Sequence, residues 1–346
     1  VISGLVEEMF GTKAHLIEAN MKAIQLGLDY IREKHAEPLN LRVEPMDGTA
    51  GHIMIDGNTA AGLGAVYAGA TFGAWYPITP STSLMDGYKA FCEKFRVDKD
   101  SGEKNFCIIQ AEDELAAIGI VIGSAWNGAR SFTATSGPGI SLMSEFLGLA
   151  YFAEIPAVVW DIQRSGPSTG MPTRTQQGDL ISAAYASHGD TKHPLLFPAS
   201  AKECFDFAAD ALDLADRLQT PVLVLSDLEL GMNENLSEPL EWDDARRYDR
   251  GKVLSAQQLD EVESFGRYLD VDGDGVVDIA VGSPGSSYAS VGATYYKIGG
   301  AWIRSRENII KPAIGPRTSG PEPPIVNCVA VPVSSQVGRG ASSWLT

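Results

Sequence analysis

Glu114 stands out among the residues whose type and position could do chemistry. It follows the strand-like run 105–110 and comes just before the apolar run 115–123, which the sequence predicts as a helix buried nearly all round. A carboxylate at the start of such a helix is stabilised by the helix dipole and desolvated by its surroundings, so its proton affinity can be tuned. The alternative is that Glu112, Asp113 and Glu114 only cap the helix.

Arg164 and Thr79 are two further candidates. Arg164 ends a strand-like segment, and Gly166 and Gly170 follow it. Its guanidinium could therefore hold a substrate carboxylate through two hydrogen bonds; the alternative is a surface ion pair. Thr79 offers a hydroxyl on a loop stiffened by two prolines, and its alternative is a simple turn.

The elements that must position these residues alternate between short strands and helices from residue 51 onward. Continuously apolar runs such as 157–160 and 222–225 are typical of strands buried on both faces, so the sequence predicts an α/β fold, a mostly parallel sheet with helices on both faces. The predicted strands are 52–55, 72–76, 105–110, 130–135, 156–161, 194–197 and 221–225. The predicted helices are 58–70, 81–94, 112–127, 141–153, 179–187 and 201–218.

Four distinctive loops follow the predicted strands. They are 76–82, 110–114, 135–139 and 163–170. Because the carboxyl ends of parallel strands meet at one edge of a sheet and ligands bind there, we expect all four loops to lie along one edge.

Composition divides the rest of the chain. One amphipathic helix is predicted over 13–35, and the last 68 residues carry six basic residues but only two acidic ones. The predicted divisions are a helical remnant of a preceding domain at 1–36, a linker at 37–50, the α/β domain at 51–245, an acidic linker at 246–278 and a loop-rich tail, rich in Gly, Pro and Ser, at 279–346.

Charge and cysteine content exclude several classes of protein. The 346 residues carry a net charge of −17, which argues against a nucleic-acid binder. The longest apolar stretch, 115–125, is too short to span a membrane, so we expect a cytoplasmic protein. The four cysteines are too scattered to ligate a cluster, so an iron–sulfur centre is expected on another chain. The start at Val1, in mid-pattern, predicts a truncated N-terminus.

Five phrases in register resemble those of a known family. They are GNTAAGLG at 57–64, YPITPST at 76–82, EDE at 112–114, TSGPG at 135–139 and QRSGPSTGMPT at 163–173. Together they resemble the α subunit of the 2-oxoacid:ferredoxin oxidoreductases, most of all the 2-oxoglutarate:ferredoxin (2-oxoacid:acceptor) enzymes. Residues 1–36 resemble the end of the γ domain that is fused ahead of α in some members.

The resemblance implies a cofactor and roles for the candidate residues. Thiamine diphosphate is expected between a pyrimidine-binding domain on this chain and a β subunit that also holds Mg²⁺ and a 4Fe-4S cluster. Glu114 matches the glutamate that hydrogen-bonds N1′ of the aminopyrimidine and favours the imino tautomer, whose nitrogen takes the C2 proton. Arg164 and Thr79 match positions that meet the carboxylate and the C2 oxygen of a 2-oxoacid.

The remaining expectations also follow from the resemblance. Ser168 and Thr169 are expected to contact the substrate, and Thr79, Ser136 and Gly137 to contact the cofactor. The implied reaction is oxidative decarboxylation of a 2-oxoacid, 2-oxoglutarate in the first place, with coenzyme A as acyl acceptor and ferredoxin as electron acceptor.

An aspartate run near residue 275 carries a rival interpretation. Asp270, Asp272, Asp274 and Asp278 fit the start of a calcium loop, although Val281 stands where the loop needs its bidentate glutamate. The rival function is a calcium-dependent binding module with the α/β part as scaffold. The run also resembles one turn of an integrin-type propeller repeat and, faintly, a thiamine diphosphate-metal signature, but the sequence favours a solvated acidic turn. The family pattern fails after residue 275.

Overall fold

A computed structural model describes most of the chain. The described residues are 2–37, 40–44, 46–251, 253–254, 258, 261, 266–269, 278–279, 281–282, 295–298 and 301–304. Packing divides the chain into two compact units, Val1–Ala50 and Gly51–Thr346.

The first unit contains two helices, α1 (Ile2–Phe10) and α2 (Ala14–Lys34). α2 agrees with the helix predicted over 13–35. α1 was not predicted from the sequence, because nine residues make too few turns to show a helical period. No residue of either helix is buried, and Leu16 and Ile17 of α2 are half-buried.

A six-stranded parallel sheet forms the centre of the second unit. Its order is β3-β2-β4-β5-β7-β6, and every neighbouring pair is parallel, which confirms the predicted fold class. The described strands are β1 (Ile53–Ile55), β2 (Phe72–Trp75), β3 (Cys107–Gln110), β4 (Ser131–Thr135), β5 (Ala157–Gln163), β6 (Leu195–Leu196), β7 (Pro221–Asp227), β8 (Asn235–Ser237), β9 (Val253–Leu254), β10 (Tyr268–Leu269), β11 (Asp278–Ile279), β12 (Val281–Gly282), β13 (Tyr295–Ile298) and β14 (Ala301–Arg304).

Helices cover both faces of the sheet. α3, α4 and α8 pack on one face, where Val158 and Trp160 of β5 point, and α5, α6 and α7 pack on the other, where Ala157 and Val159 point. Every residue of β5 is buried, as the continuous apolar pattern predicts. The helices are α3 (Gly57–Tyr67), α4 (Thr82–Phe95), α5 (Glu114–Trp126), α6 (Gly137–Phe152), α7 (Leu180–Ala184), α8 (Ala201–Leu218) and α9 (Leu228–Met232).

Two predicted elements differ from the structure. The strand predicted at 52–55 exists as β1, but it pairs antiparallel with β8 outside the main sheet. The helix predicted at 141–153 begins four residues earlier, at Gly137, because Ser136 is extended and Pro138 fits the first helical turn. The TSGPG phrase is therefore partly the first turn of α6.

The last residues of the α/β domain are anchored at the edge of the sheet where the parallel strands begin, named here the amino edge. Arg130, buried at the start of β4, donates to Asp216 over 2.9 Å, pairs with Asp213 and donates to the carbonyl of Asp249 over 3.1 Å. Arg250 donates to the carbonyl of Gly128 over 2.5 Å. The residues around Asp249 and Arg250, at the start of the predicted linker 246–278, therefore pack against the domain.

The strands described after residue 252 are short. β9 pairs with β12 in parallel, while β10 pairs with β11 and β13 with β14 antiparallel. Of the candidate calcium loop, Asp270, Asp272 and Asp274 lie outside the described residues, and Asp278 is described only as the first residue of β11.

Candidate active site

The four distinctive loops lie along one edge of the sheet, as predicted. They follow β2, β3, β4 and β5, which are parallel, so their carboxyl ends meet at that edge. From β2 the chain moves to β3 on one side and then to β4 on the other. The loops after β2 and β4 therefore border the point where strand order reverses, which is where open α/β sheets bind ligands.

Glu114 is the first residue of α5, and it does not cap the helix. Asp113 does so, because its carboxylate accepts a hydrogen bond of 2.6 Å from the backbone N–H of Ala116. The Glu114 side chain is 5% exposed and, among the residues that the structure describes, its carboxylate accepts no hydrogen bond. The carboxylate is therefore not used by its own helix, which leaves its oxygens available to a ligand.

The absence of a side chain at Gly139 leaves space for the side chain of Glu114. A methyl group built on Gly139 would lie 2.9 Å from Cγ of Glu114 and 1.9 Å from Oγ1 of Thr135. No larger residue fits at this place in the first turn of α6. The glycines of the TSGPG phrase therefore let the start of α6 approach the start of α5.

Arg164 ties two of the loops together. Its two terminal nitrogens donate to the carbonyls of Thr79 and Thr169, each over 2.6 Å, and Nε is buried without an acceptor among the described residues. The nearest acid in the sequence is Asp161, three residues before Arg164, and folding also brings the charge of Glu114 to act on the guanidinium. Burial lowers the pKa of Arg164, and the charge of Glu114 opposes that shift.

The GNTAAGLG phrase at 57–64 fixes the loop after β2. Asn58, buried in α3, donates to the carbonyl of Pro80 and to Oγ of Ser83, each over 2.8 Å. Thr79 itself is exposed, so its hydroxyl faces solvent while its carbonyl holds Arg164. Gly62 and Gly64 pack α3 against α4 and α8, since a methyl group on either would lie within 2.7 Å of backbone there.

The other predicted site residues lie at the same edge. Ser136 is fully buried and its Oγ has no hydrogen-bond partner among the described residues. Gly137 begins α6 beside it. Ser168 and Thr169 are exposed on the loop after β5, where Ser168 adopts a positive φ of 59°.

The residues present fit an aminopyrimidine ring. Such a ring offers hydrogen-bond donors and acceptors side by side, and this edge holds a carboxyl group and a buried hydroxyl, Glu114 and Ser136, whose hydrogen-bonding capacity is unused within the described chain. No group of three side chains that could hold a metal occurs in the described part of the chain. Within those same residues, no helix is both long and apolar enough to cross a membrane.

One pair of acids at this edge was not predicted from the sequence. Asp161 lies in β5 and is fully buried, and its carboxyl group faces that of Asp179, which precedes α7. The signal was an aspartate that follows four apolar residues in a buried strand, AVVWDIQ. An unpaired acid in such a strand needs a partner, but its identity depends on the fold.

Comparison with known proteins finds a family model and several relatives whose names agree with one another. A family model described as pyruvate flavodoxin/ferredoxin oxidoreductase, thiamine diP-bdg, matches residues 63–263. The 2-oxoglutarate synthase subunit KorA of Methanothermobacter marburgensis is 45% identical over 186 residues, which are 54% of this chain and 47% of that protein. The 2-oxoglutarate oxidoreductase subunit KorA of Mycobacterium tuberculosis is 39% identical over 242 residues, 68% of this chain and 35% of that protein.

A solved structure agrees with these relatives. The 2-oxoglutarate:ferredoxin oxidoreductase from Magnetococcus marinus, with 2-oxoglutarate, coenzyme A and succinyl-CoA bound, matches with a TM-score of 0.65 and 32% identity. The match covers 84% of this chain and 48% of that one. This chain therefore spans about half the length, or less, of these three relatives.

Proposed function

The chain belongs to the pyruvate flavodoxin/ferredoxin oxidoreductase family of thiamine diphosphate-binding domains, and from this premise we propose that it is the α subunit of a 2-oxoacid:ferredoxin oxidoreductase. The reaction converts a 2-oxoacid, coenzyme A and two oxidised ferredoxins into acyl-CoA, CO₂, a proton and two reduced ferredoxins. The names of the similar proteins favour 2-oxoglutarate as the substrate, which gives succinyl-CoA.

The observation that carries this proposal is Glu114. Glu114 lies at the edge of the sheet where the parallel strands end, named here the strand-end edge, and the residue is 5% exposed. The neighbouring Asp113 caps the helix in its place. A capping role would use the carboxylate of Glu114 within its own helix. Its carboxyl group is instead available to a ligand, and its sequence context, EDE at 112–114, resembles that of the family's N1′ glutamate.

Each site residue then has a role toward the cofactor or substrate. When bound, thiamine diphosphate supplies the electron sink that makes loss of CO₂ feasible. Glu114 holds a proton at N1′ of the aminopyrimidine, and Ser136 and Gly137 line the ring. Such a buried proton-sharing contact contributes as general acid–base catalysis does, by about two to four orders of magnitude in rate.

The substrate side is assigned to the loops joined by Arg164. Arg164 donates to the substrate carboxylate, using the buried Nε–H or a terminal N–H now bound to a carbonyl. Thr79 donates from its exposed hydroxyl to the C2 oxygen, and Ser168 and Thr169 contact the rest of the substrate. The diphosphate, Mg²⁺ and 4Fe-4S cluster are assigned to a β subunit, with ferredoxin as its electron acceptor.

The test is reconstitution. The full-length gene, read through both ends of this sequence, is coexpressed with its β subunit, and reduction of ferredoxin is followed with 2-oxoglutarate, pyruvate and 2-oxobutyrate in turn. We expect reduction that requires thiamine diphosphate, coenzyme A and the β subunit, and that is fastest with 2-oxoglutarate. Ferredoxin reduction by this chain alone, or none by the assembled complex with any 2-oxoacid, contradicts the proposal.

A further inference from the structure

Asp161 and Asp179 close the base of a loop that carries three of the proposed substrate-binding residues. Asp161 lies near the end of β5, three residues before Arg164, and Asp179 lies just before α7. We call residues 164–178, which lie between these two acids, the Arg164 loop. A hydrogen bond of 3.1 Å from the backbone N–H of Asp179 to Oε1 of Gln163 also joins the two ends.

The side chains of Asp161 and Asp179 interact with each other, and no other described residue hydrogen-bonds to their buried carboxyl oxygens. Asp161 is fully buried, and no N–H or O–H of a described residue donates to either of its carboxyl oxygens or to Oδ2 of Asp179. Two facing acceptors repel unless a proton lies between them. The geometry therefore requires that at least one of the two carries a proton.

The surroundings decide which acid is protonated. A methyl group built on Gly137 would lie 2.7 Å from Oδ2 of Asp179, so this carboxylate lies at the amino end of α6, where the helix dipole favours negative charge. The side chain of Asp179 makes no capping hydrogen bond to α7, although the residue occupies the N-cap position. The negative charge is thus on Asp179 and the proton on Asp161.

The ionisation of Asp161 agrees with this arrangement. Burial, with the nearby charge of Asp179, raises the pKa of Asp161 well above its usual range, and burial also raises the pKa of Asp179. On β4 and β7 the residues beside Asp161 are Thr135 and Leu225, neither of them an acid or a base. The ionisable residues of α5, α6 and α7, namely Glu114, Glu145 and Tyr151, are not among the groups that shift it.

We propose that Asp161 and Asp179 are positioning residues that share one proton and with it hold the Arg164 loop closed. The proposal rests on the proposed function only in what the loop binds. Because the closed loop keeps a proton that the open loop releases, closure is favoured at low pH and weakens as pH rises from the ordinary carboxyl range toward the raised pKa of Asp161. One proton gives at most about a tenfold change in the opening equilibrium per pH unit.

The test is hydrogen exchange of the full chain, read by mass spectrometry on peptides that cover 162–180, from about pH 5 to about pH 9. Rates are divided by the intrinsic rate at each pH. We expect protection in the wild type to fall with pH by up to about tenfold per unit. Asp161→Asn supplies an amide N–H to Asp179 without a titratable proton, so its protection should not change with pH.

Two further variants keep the result interpretable. Asp179→Asn replaces the acid that shares the proton with an amide whose N–H can bond to an ionised Asp161 and, lying at a half-exposed position, tests the same point if Asp161→Asn does not fold. Asp190→Asn removes an exposed acid shortly after α7 and should keep the wild-type slope. Equal slopes in the wild type and in the two loop-base variants overturn the proposal. Exchange needs no turnover, so this result stands whether or not the chain proves to be an oxidoreductase subunit.

Discussion

At the scale of single residues, the guanidinium of Arg164 ties two loops together and is also proposed to bind the substrate. Its terminal nitrogens hold the carbonyls of Thr79 and Thr169, and its buried Nε–H has no acceptor within the described chain. Planar, fixed donors of this kind suit a carboxylate better than the mobile ammonium of lysine. The loops after β2 and β5 are thus fixed by the same group that is assigned to the substrate.

This double role leads to the first prediction, for Arg164→Ala. Loss of hydrogen bonds to a charged group costs about 1.5–3 kcal/mol, so we expect kcat/KM for the 2-oxoacid to fall by about 10- to 100-fold, mainly through KM. Steady-state kinetics of the assembled complex measure it. Arg217→Ala, which removes an exposed arginine of α8, serves as the control. An unchanged KM in Arg164→Ala would remove Arg164 from the substrate site.

At the scale of elements, the meeting of α5 and α6 decides whether the site forms. Gly139 of α6 touches both Thr135 and Glu114, whereas Gly123 of α5 has no described atom near the place of an added methyl group. The two glycines are therefore a matched pair. Gly139 is required because α6 approaches α5 closely there, whereas Gly123 only lowers the helix propensity of α5.

We expect Gly139→Ala to destabilise the chain by about 1–3 kcal/mol, as overpacking does, and to displace Glu114. Gly123→Ala should be neutral or stabilise by up to about 1 kcal/mol, because alanine favours helix. Urea unfolding of both variants measures the difference. Equal stabilities would mean that α6 does not approach α5 as described.

Much of the arrangement of strands and helices could be predicted from the sequence. Continuously apolar runs such as those of β5 and β7 are long enough to show a buried strand, so the sheet, its parallel pairing and the shared edge of the loops followed from pattern alone. The start of α6 was placed too late because its glycines and proline are also typical of loops. Asp161 and Asp179 are far apart in the sequence, and only folding shows that they face each other.

At the scale of the whole molecule, the amino edge of the sheet provides the anchoring. Arg130 joins β4 to α8 and to the segment around Asp249, and its guanidinium lies 4.9 Å from the ring of Tyr248. Burial of so many charges is tolerated because they are paired. The strand-end edge, with its unfilled carboxyl and hydroxyl groups, is left for the ligand.

We expect Arg130→Met to lower the free energy of unfolding by about 3–5 kcal/mol, because Asp213 and Asp216 lose a buried partner. Lys202→Ala, which breaks a partly exposed pair with Asp206 within α8, should cost less than about 1 kcal/mol. Urea unfolding of the full chain compares them. Similar costs for the two variants would show that the buried network does not anchor the domain.

The central claim is that Glu114 acts on the cofactor rather than on its own helix, and Glu114→Gln tests it. Glutamine keeps the shape but cannot share a proton with N1′, so C2 proton exchange of thiamine diphosphate bound to the complex with the β subunit should slow by about 100- to 10,000-fold. Unfolding of the variant should match the wild type. The control is Asp113→Ala, which removes the helix cap and should cost about 0.5–2 kcal/mol of stability while exchange continues.

The decisive measurement is therefore the C2 exchange rate in Glu114→Gln, read by quenched-flow deuterium exchange on the assembled complex. We expect an exchange rate at least about 100-fold below that of the wild type, with an unchanged unfolding curve. Exchange at the wild-type rate would contradict the assignment of Glu114 to the cofactor.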